Sequence, residues 1–394
     1  MSAAVTGMGI ISSAGLNVAE NLATLKSGKS TIARIQGLDG LRKPYLGGQV
    51  KLSNPELYLR TGLTGPTVLP RTVLLALHAL NEAWSGHQVN PNLRTGLISA
   101  TSVGGMDLSE QFYFDYRNRN NADKLEWLAF HDNGAGTNIL ANHLGINHSV
   151  FTISTACSSA ANAILLGARL IENNILDRAI VGGADALCNF TLNGFDSLMI
   201  YDSEWCRPFD DRRKGLNLGE GAAYLILESE KSRKISAKNS VASVSGWANA
   251  NDAWHQTASS PEGRGATLAI AGALQKAGLT PEKIGYINAH GTATPNNDLS
   301  EVTALNNVFG NSLPPFSSTK AFTGHTLAAA GAIEAVYSVL ALQEQVIFPN
   351  LNFEVPMKEK TCIPATTLTQ AKIDHVLSNS FGFGGNTSSL VFSR

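Results

Sequence analysis

Short β-branched runs alternate along the chain with longer stretches whose apolar residues recur at helical spacing. Residues 3–6, 94–99, 150–154, 178–182, 222–228, 241–247, 284–288 and 390–392 read as strands. Residues 71–84, 158–173, 265–278, 298–309 and 325–344 read as helices. Strands spaced by helices predict an α/β fold in which helices cover largely parallel sheets. The polar, basic stretch 228–240 (ESEKSRKISAKNS) separates two halves, 1–235 and 236–394, each with a comparable set of strands and helices. A duplicated architecture is therefore expected. Residues 107–135, with aromatics at 112, 113, 114 and 116, follow no clean period and read as a partly helical excursion at a surface or subunit interface.

Composition narrows the function. A chain of 394 residues, 43% hydrophobic and 15% charged, buries a large core. A net charge of -1 gives no electrostatic footprint for nucleic acid. The N-terminus lacks a basic targeting region, and no window of about eighteen uninterrupted apolar residues stands out, so a soluble cytoplasmic protein without membrane insertion is expected. The four cysteines, 157, 188, 206 and 362, have neither CxxC nor cysteine-histidine zinc spacing, so neither a metal site nor a disulfide framework is expected.

Four segments carry chemistry. Cys157 lies in TACSSAA, between a β-branched run and a helical pattern. A cysteine at such a junction sits over the unpaired N–H groups of a first helical turn, where the dipole favours the thiolate. A buried free cysteine packing as a small hydrophobe is the alternative. His290, in INAHGTAT, ends a buried strand and points into the crevice where α/β sheets bind ligands, unless it is a satisfied core histidine. SSTKAFTGH leads through His325 into an almost wholly apolar helix containing Glu334. A lone buried carboxylate is costly, so Lys320 is the expected partner, in a functional or a purely structural pair. SNSFGFGGN, 378–386, interleaves three glycines with Phe381 and Phe383; it offers backbone N–H groups and apolar walls, or a plain tight turn.

Together, TACSSA, NAHGTAT, STKAFTGH with AAAGAIEA, and SNSFGFGG resemble the β-ketoacyl-acyl-carrier-protein synthases, the elongating condensing enzymes of the thiolase superfamily. The resemblance is strong over 145–394, extends to VTGMGIIS and SATSVGG, and is weak over 35–92 and 107–140. It implies a thiolase-like duplicated five-layered α-β-α-β-α fold and a homodimer, or a heterodimer with a related ketosynthase or chain-length-factor subunit. It also implies substrates carried on the phosphopantetheine of an acyl carrier protein, and no cofactor.

By the resemblance, Cys157 is the acylated nucleophile, and His290 and His325 bind the malonyl thioester and assist its decarboxylation. Lys320 and Glu334 are supporting charges. Thr292 and Thr294 contact the phosphopantetheine arm, Asp298 and Glu301 are acidic residues near the site, and Thr257 and Phe381 line the substrate path. Phe383 gates the acyl pocket, and its N–H joins that of Cys157 as an oxyanion hole. Intact Cys157 separates the chain from non-catalytic chain-length factors, which remain the alternative reading. Two histidines separate it from initiating synthases, which carry an asparagine at one of those positions, and from simple cysteine hydrolases. Two departures stand out: Lys214 replaces an acidic residue common in the family, and Asn386-Thr387 reverses the usual Thr-Asn order. Acyl chain length and the choice between fatty-acid and polyketide pathways are left open.

Overall fold

The computed structural model describes residues 3–38, 40–64, 68–119, 122–360 and 362–394. The N-terminal half supplies β1 (Ala3–Ser12), β2 (Thr95–Ala100), β3 (Ser149–Ile153), β4 (Arg178–Asp185) and β5 (Gly221–Glu228). The C-terminal half supplies β6 (Ala242–Asn251), β7 (Tyr286–Asn288), β8 (Phe316–Ser317), β9 (His375–Phe381) and β10 (Asn386–Ser393). From the centre outwards the first set runs β1, β5, β4, β2, β3 and the second runs β6, β10, β9, β7, β8. The orders are the same, and so are the directions. In each half the first and fourth strands flank the fifth antiparallel, while the second strand pairs parallel with the third and fourth. The halves join where Ala3 to Val5 pair antiparallel with Ala242 to Val244.

Six helices complete the layers: α1 (Arg71–Ala83), α2 (Asn133–Leu144), α3 (Ser159–Glu172), α4 (Arg264–Ala277), α5 (Pro295–Phe309) and α6 (Ala330–Glu344). α1 and α2 pack on the outer face of the first set of strands, and α4, joined by α5, covers the second. α3 and α6 touch each other and strands of both halves, so they form the middle layer of an α-β-α-β-α stack. Their sequences explain the placement. α6 is buried continuously from Ala330 to Leu342, as a helix apolar on every face must be. The segment Leu327–Glu344 is long and apolar enough to cross a membrane, yet 89% of it is buried inside the protein, where it is a core helix. The two middle helices meet at Gly331, where a Cβ would come within 2.7 Å of the Ala161 nitrogen, so only glycine permits the approach.

The duplication positions the chemistry. Cys157 follows the third strand of its half and precedes α3; His325 follows the third strand of the other half and precedes α6. Strands β8 and β9 are additions to the sequence reading, because two residues in one case and a polar Ser-Asn-Ser run in the other show little hydrophobic alternation. Residues 107–135 prove mostly helical, with an α-helix at Met106–Arg119 and a 3-10 helix at Leu125–His131, while 120 and 121 lie outside the described residues.

Candidate active site

Cys157, His290, His325, Phe381 and Phe383 converge on one cavity of about 350 Å³, which Thr257, Thr292 and Thr294 also line. Lys320, Glu334, Asp298 and Glu301 lie behind its wall, not on it.

The Cys157 loop is held under backbone strain. Ala156 adopts φ +53, a conformation that costs an L-residue about 1–2 kcal/mol and needs support from its surroundings. The Ser159 hydroxyl donates to the Ala156 carbonyl at 2.5 Å and accepts from the Thr155 N–H at 2.8 Å. The Ser158 hydroxyl donates to Asn386 Oδ1 at 2.6 Å, tying the loop to the opposite half. Gly382 presses on the same loop; a Cβ there would lie 2.8 Å from the Thr155 carbonyl. The acidity expected at a helix N-terminus is overturned. Cys157 precedes the first helical residue by two positions and is buried, and burial pushes its thiol up to about 12. Lys320 and a hydrogen bond from the Phe383 N–H pull the other way without overcoming that desolvation.

The two imidazoles meet edge to face, with ring centroids 5.3 Å apart and planes at 87°. Burial holds both well below the usual histidine range, and the nearby Lys320 charge adds to this, so both rings are neutral near pH 7. Lys320 Nζ donates to Glu334 Oε1, to the His290 carbonyl at 2.6 Å and to His290 Nδ1 at 3.2 Å. A ring nitrogen that accepts from an ammonium carries no proton, so the His290 proton sits on Nε2. His325 Nδ1 is buried without a partner among the described residues. An orphaned donor is rarer than an orphaned acceptor, so the Nε2–H form is favoured there too. His325 is fixed through its backbone, its N–H donating to the Asn217 carbonyl at 2.8 Å and its carbonyl accepting from Gly219 at 2.9 Å. Gly324, at φ +73, admits no Cβ beside the Leu218 carbonyl. Burial raises Glu334 to about 7 against the pull of Lys320.

Asp298 and Glu301, expected near the substrate, instead build the loop that carries His290. Glu301 accepts from the His290 and Gly291 N–H groups at 2.9 and 2.8 Å and from Asn379 at 3.1 Å. Asp298 accepts from Phe209 and Ala293 N–H groups at 2.7 and 3.1 Å. Their oxygens are committed to the backbone, and burial raises both carboxyls, Glu301 to about 7. Thr292 and Thr294 share a hydroxyl contact of 2.9 Å on the cavity wall. Phe383 stacks on Phe195, centroids 5.5 Å apart, while the Phe381 ring lies 5.5 Å from that of His290.

Sequence reasoning missed Asp185. Its carboxylate accepts from the Thr101 hydroxyl at 2.6 Å, the Val103 N–H at 3.1 Å and the Ala328 N–H at 2.8 Å, so it clamps the loop after β2 to the turn after His325. The signal was present: after Arg178 the strand RAIVGGAD is apolar throughout until it ends in a carboxylate. Phe195 and Met199 on the cavity wall were also missed, lying in a stretch that gives no motif. Among the described residues no group of three His, Cys, Asp or Glu side chains is arranged to hold a metal ion.

Comparison with known proteins agrees with this geometry. Residues 2–233 match the family described as "Beta-ketoacyl synthase, N-terminal domain", and residues 241–354 match "Beta-ketoacyl synthase, C-terminal domain". The 3-oxoacyl-(acyl-carrier-protein) synthase 2 of Coxiella burnetii is 33% identical over 412 residues, covering 99% of this chain and 98% of the relative. A ketosynthase in complex with its chain length factor from Xenorhabdus doucetiae superposes with a TM-score of 0.84 at 33% identity, covering 100% of this chain and 98% of that one. A type II polyketide synthase acyl-carrier protein in complex with its ketosynthase bound to the hexaketide gives 0.88 at 26% identity, covering 100% and 99%.

Proposed function

The chain belongs to the β-ketoacyl synthase family, and on that premise we propose that Cys157, His290 and His325 carry out its condensing reaction. The enzyme elongates an acyl chain by decarboxylative Claisen condensation with malonyl-acyl-carrier protein, in fatty-acid or polyketide synthesis. The observation that carries the assignment of roles is the single cavity shared by the buried thiol and two neutral imidazoles.

Cys157 takes the acyl group first, splitting one hard bond formation into transfer and condensation. A thiol with a pKa near 12 is not ionised in the resting enzyme, so its proton leaves as the sulfur attacks and is taken up by the carrier thiol expelled when the incoming thioester C–S bond breaks. The Phe383 N–H, already directed at the sulfur, is placed to stabilise the thioester oxyanion. The Nε2–H groups of His290 and His325 then donate to the malonyl thioester oxygen as carbon dioxide departs and an enolate forms. That enolate carbon attacks the acyl-cysteine carbonyl, the C–S bond to Cys157 breaks, and the released sulfur takes up a proton from solvent. Loss of carbon dioxide generates the carbon nucleophile, so the reading needs no cofactor.

The relatives described above as working with an acyl carrier protein and a chain length factor support the same partners here: a carrier protein that delivers both thioesters, and a second copy or related subunit. The reading places the enzyme in the cytoplasm with its carrier. Intact mass spectrometry after incubation with a panel of acyl-carrier proteins tests it. An acyl mass on Cys157, followed by a β-ketoacyl product when malonyl-carrier protein is added, is expected. Absence of both, alone and with a related subunit, overturns the reading.

A further inference from the structure

Besides the two histidines, Lys214 is the one basic side chain on the wall of the active-site cavity, and no carboxylate lines it among the described residues. It is exposed at the mouth, while Cys157, His290 and His325 are buried. Among the described residues it forms no salt bridge within 4.0 Å, although its charge reaches the carboxyl of Asp202, which does not line the cavity; Arg212, in contrast, is bound to Asp210 at 3.3 Å and Glu354 at 2.6 Å. Its backbone is held on both sides. The preceding Arg213 is buried and donates to the carbonyls of Asp210 and Pro295 at 3.1 and 2.9 Å. The following Gly215 packs so closely on the Ile200 carbonyl that a Cβ has no room. Thr257, Ser259 and Asn296 line the same cavity and add polar groups but no charge. The chain as a whole carries a net charge of -1, so this cation is a local feature rather than part of a general positive field.

We propose that Lys214 is a specificity-determining residue that binds the phosphate of the pantetheine arm when the thioester at its other end occupies the Cys157 site. The inference rests on the proposed function, which requires a thioester on such an arm to enter this cavity. The chemistry recognised is a phosphate ester on pantetheine, and it comes from either a carrier protein or coenzyme A. An ammonium without a salt bridge on an otherwise neutral wall suits that group, because a charge-assisted contact to phosphate is stronger than a neutral one while the exposed mouth limits its effect by screening.

Steady-state kinetics of Lys214→Ala, Lys214→Glu and Lys214→Arg with malonyl-carrier protein, malonyl-coenzyme A and malonyl-pantetheine test the contact. Lys214→Ala should raise KM for both phosphate-bearing donors by about three- to tenfold with little change in kcat, Lys214→Glu should raise it further, and Lys214→Arg should restore it. KM for malonyl-pantetheine should shift by less than about twofold, since the missing group is the phosphate. An equal shift for all three donors, a shift confined to the carrier protein, or no shift overturns the proposal. A binding readout keeps it independent of turnover: phosphopantetheine should protect Cys157 from iodoacetamide at lower concentration than pantetheine, and the difference should vanish in Lys214→Ala. Selective protection without condensation by any donor would sink the enzymatic reading and leave the phosphate contact standing. Condensation without selective protection would do the reverse.

Discussion

Lys320 Nζ lies 2.6 Å from the carbonyl oxygen of His290 and 3.2 Å from Nδ1 of the same residue, so one ammonium fixes both the backbone and the tautomer of the ring. Its third contact, to Glu334, lies inside the core. Lys320→Met should therefore do two separable things. It strands the Glu334 carboxylate, a loss on the order of 3–5 kcal/mol of stability measurable by urea unfolding. It also frees the imidazole, lowering malonyl decarboxylation by roughly 10²-fold. Adding Glu334→Leu should recover much of the stability and none of the rate. Recovery of both would make Lys320 purely structural.

Cys157 should be the one cysteine alkylated in the native enzyme, and access is the reason. Burial pushes Cys157, Cys188 and Cys206 alike to about 12, so acidity does not distinguish them. Cys157 alone lines the active-site cavity, while Cys188 and Cys206 are each 1% exposed and Cys362 lies outside that cavity. Because the thiolate is the reactive form, labelling should speed up roughly tenfold per pH unit between pH 7 and 9. Peptide mapping after brief iodoacetamide treatment checks both points. Comparable labelling at Cys188, Cys206 or Cys362, or a rate flat with pH, contradicts the description of the site.

Phe383 should work as a gate hinged on one side only. Gly382 is extended at φ -120 and wedged against the Cys157 loop, so it anchors the segment, whereas Gly384 and Gly385 adopt φ +82 and +80, and Gly384 has open space around it. Motion of the ring away from Phe195 that pivots at 384–385 must break the bond from the Gly384 N–H to the Gln256 carbonyl at 2.7 Å. Phe383→Ala should shorten the life of the acyl-enzyme by admitting water, and Gly384→Ala, strained at positive φ, should slow acylation. Unchanged acyl-enzyme lifetime and acylation rate in both variants reduce Phe383 to a wall residue.

How much of this was legible follows from what each residue answers to. Cys157, His290, His325 and Glu334 sit in contiguous motifs at element junctions, and a carboxylate in an apolar helix announces its own need for a partner, so Lys320 followed. The duplication showed as two similar sets of elements, but the matching strand order depends on pairings such as Val376 with Tyr286, ninety positions apart in the chain, which no local pattern encodes. Acidity at Cys157 was misjudged for a related reason: the helix dipole is a local feature, while desolvation is set by everything that closes over the sulfur. Asp298 and Glu301 were placed near the site by the family resemblance alone, yet their partners are backbone N–H groups of the loop they brace.

The acid limb of decarboxylation should lie below pH 6.5. Burial lowers both histidines, so each ring loses its extra proton at a lower pH than free imidazole does and is already neutral at pH 6.5. The histidine-dependent fall in carbon dioxide release should therefore come only in buffer more acid than pH 6.5, while any change near pH 7 belongs to the carboxyls of Glu334 and Glu301, which burial raises to about 7. A midpoint at or above 6.5 that persists in Glu334→Gln and Glu301→Gln would show that the rings titrate as exposed imidazoles. Measurement in Cys157→Ala enzyme removes the thiol from the profile.

That same variant separates the two halves of the reaction. In the assigned roles Cys157 holds the acyl group and contributes nothing to the enolate, whose oxygen is bound by His290 and His325. Cys157→Ala should abolish condensation yet keep measurable carbon dioxide release from malonyl-carrier protein. His290→Ala or His325→Ala should lower that release by about 10²–10³, the usual cost of removing one donor from a developing oxyanion. The two losses should not multiply in the double variant if both rings serve one oxygen, since either loss already leaves it poorly held. Radiolabelled malonyl-carrier protein and the four purified variants suffice for the measurement. A non-catalytic chain-length-factor-like subunit predicts no release in any variant, and a cysteine hydrolase predicts none that depends on both histidines. Undiminished release after both histidines are replaced would remove them from the chemistry and leave the neutral pair beside Cys157 without its assigned role.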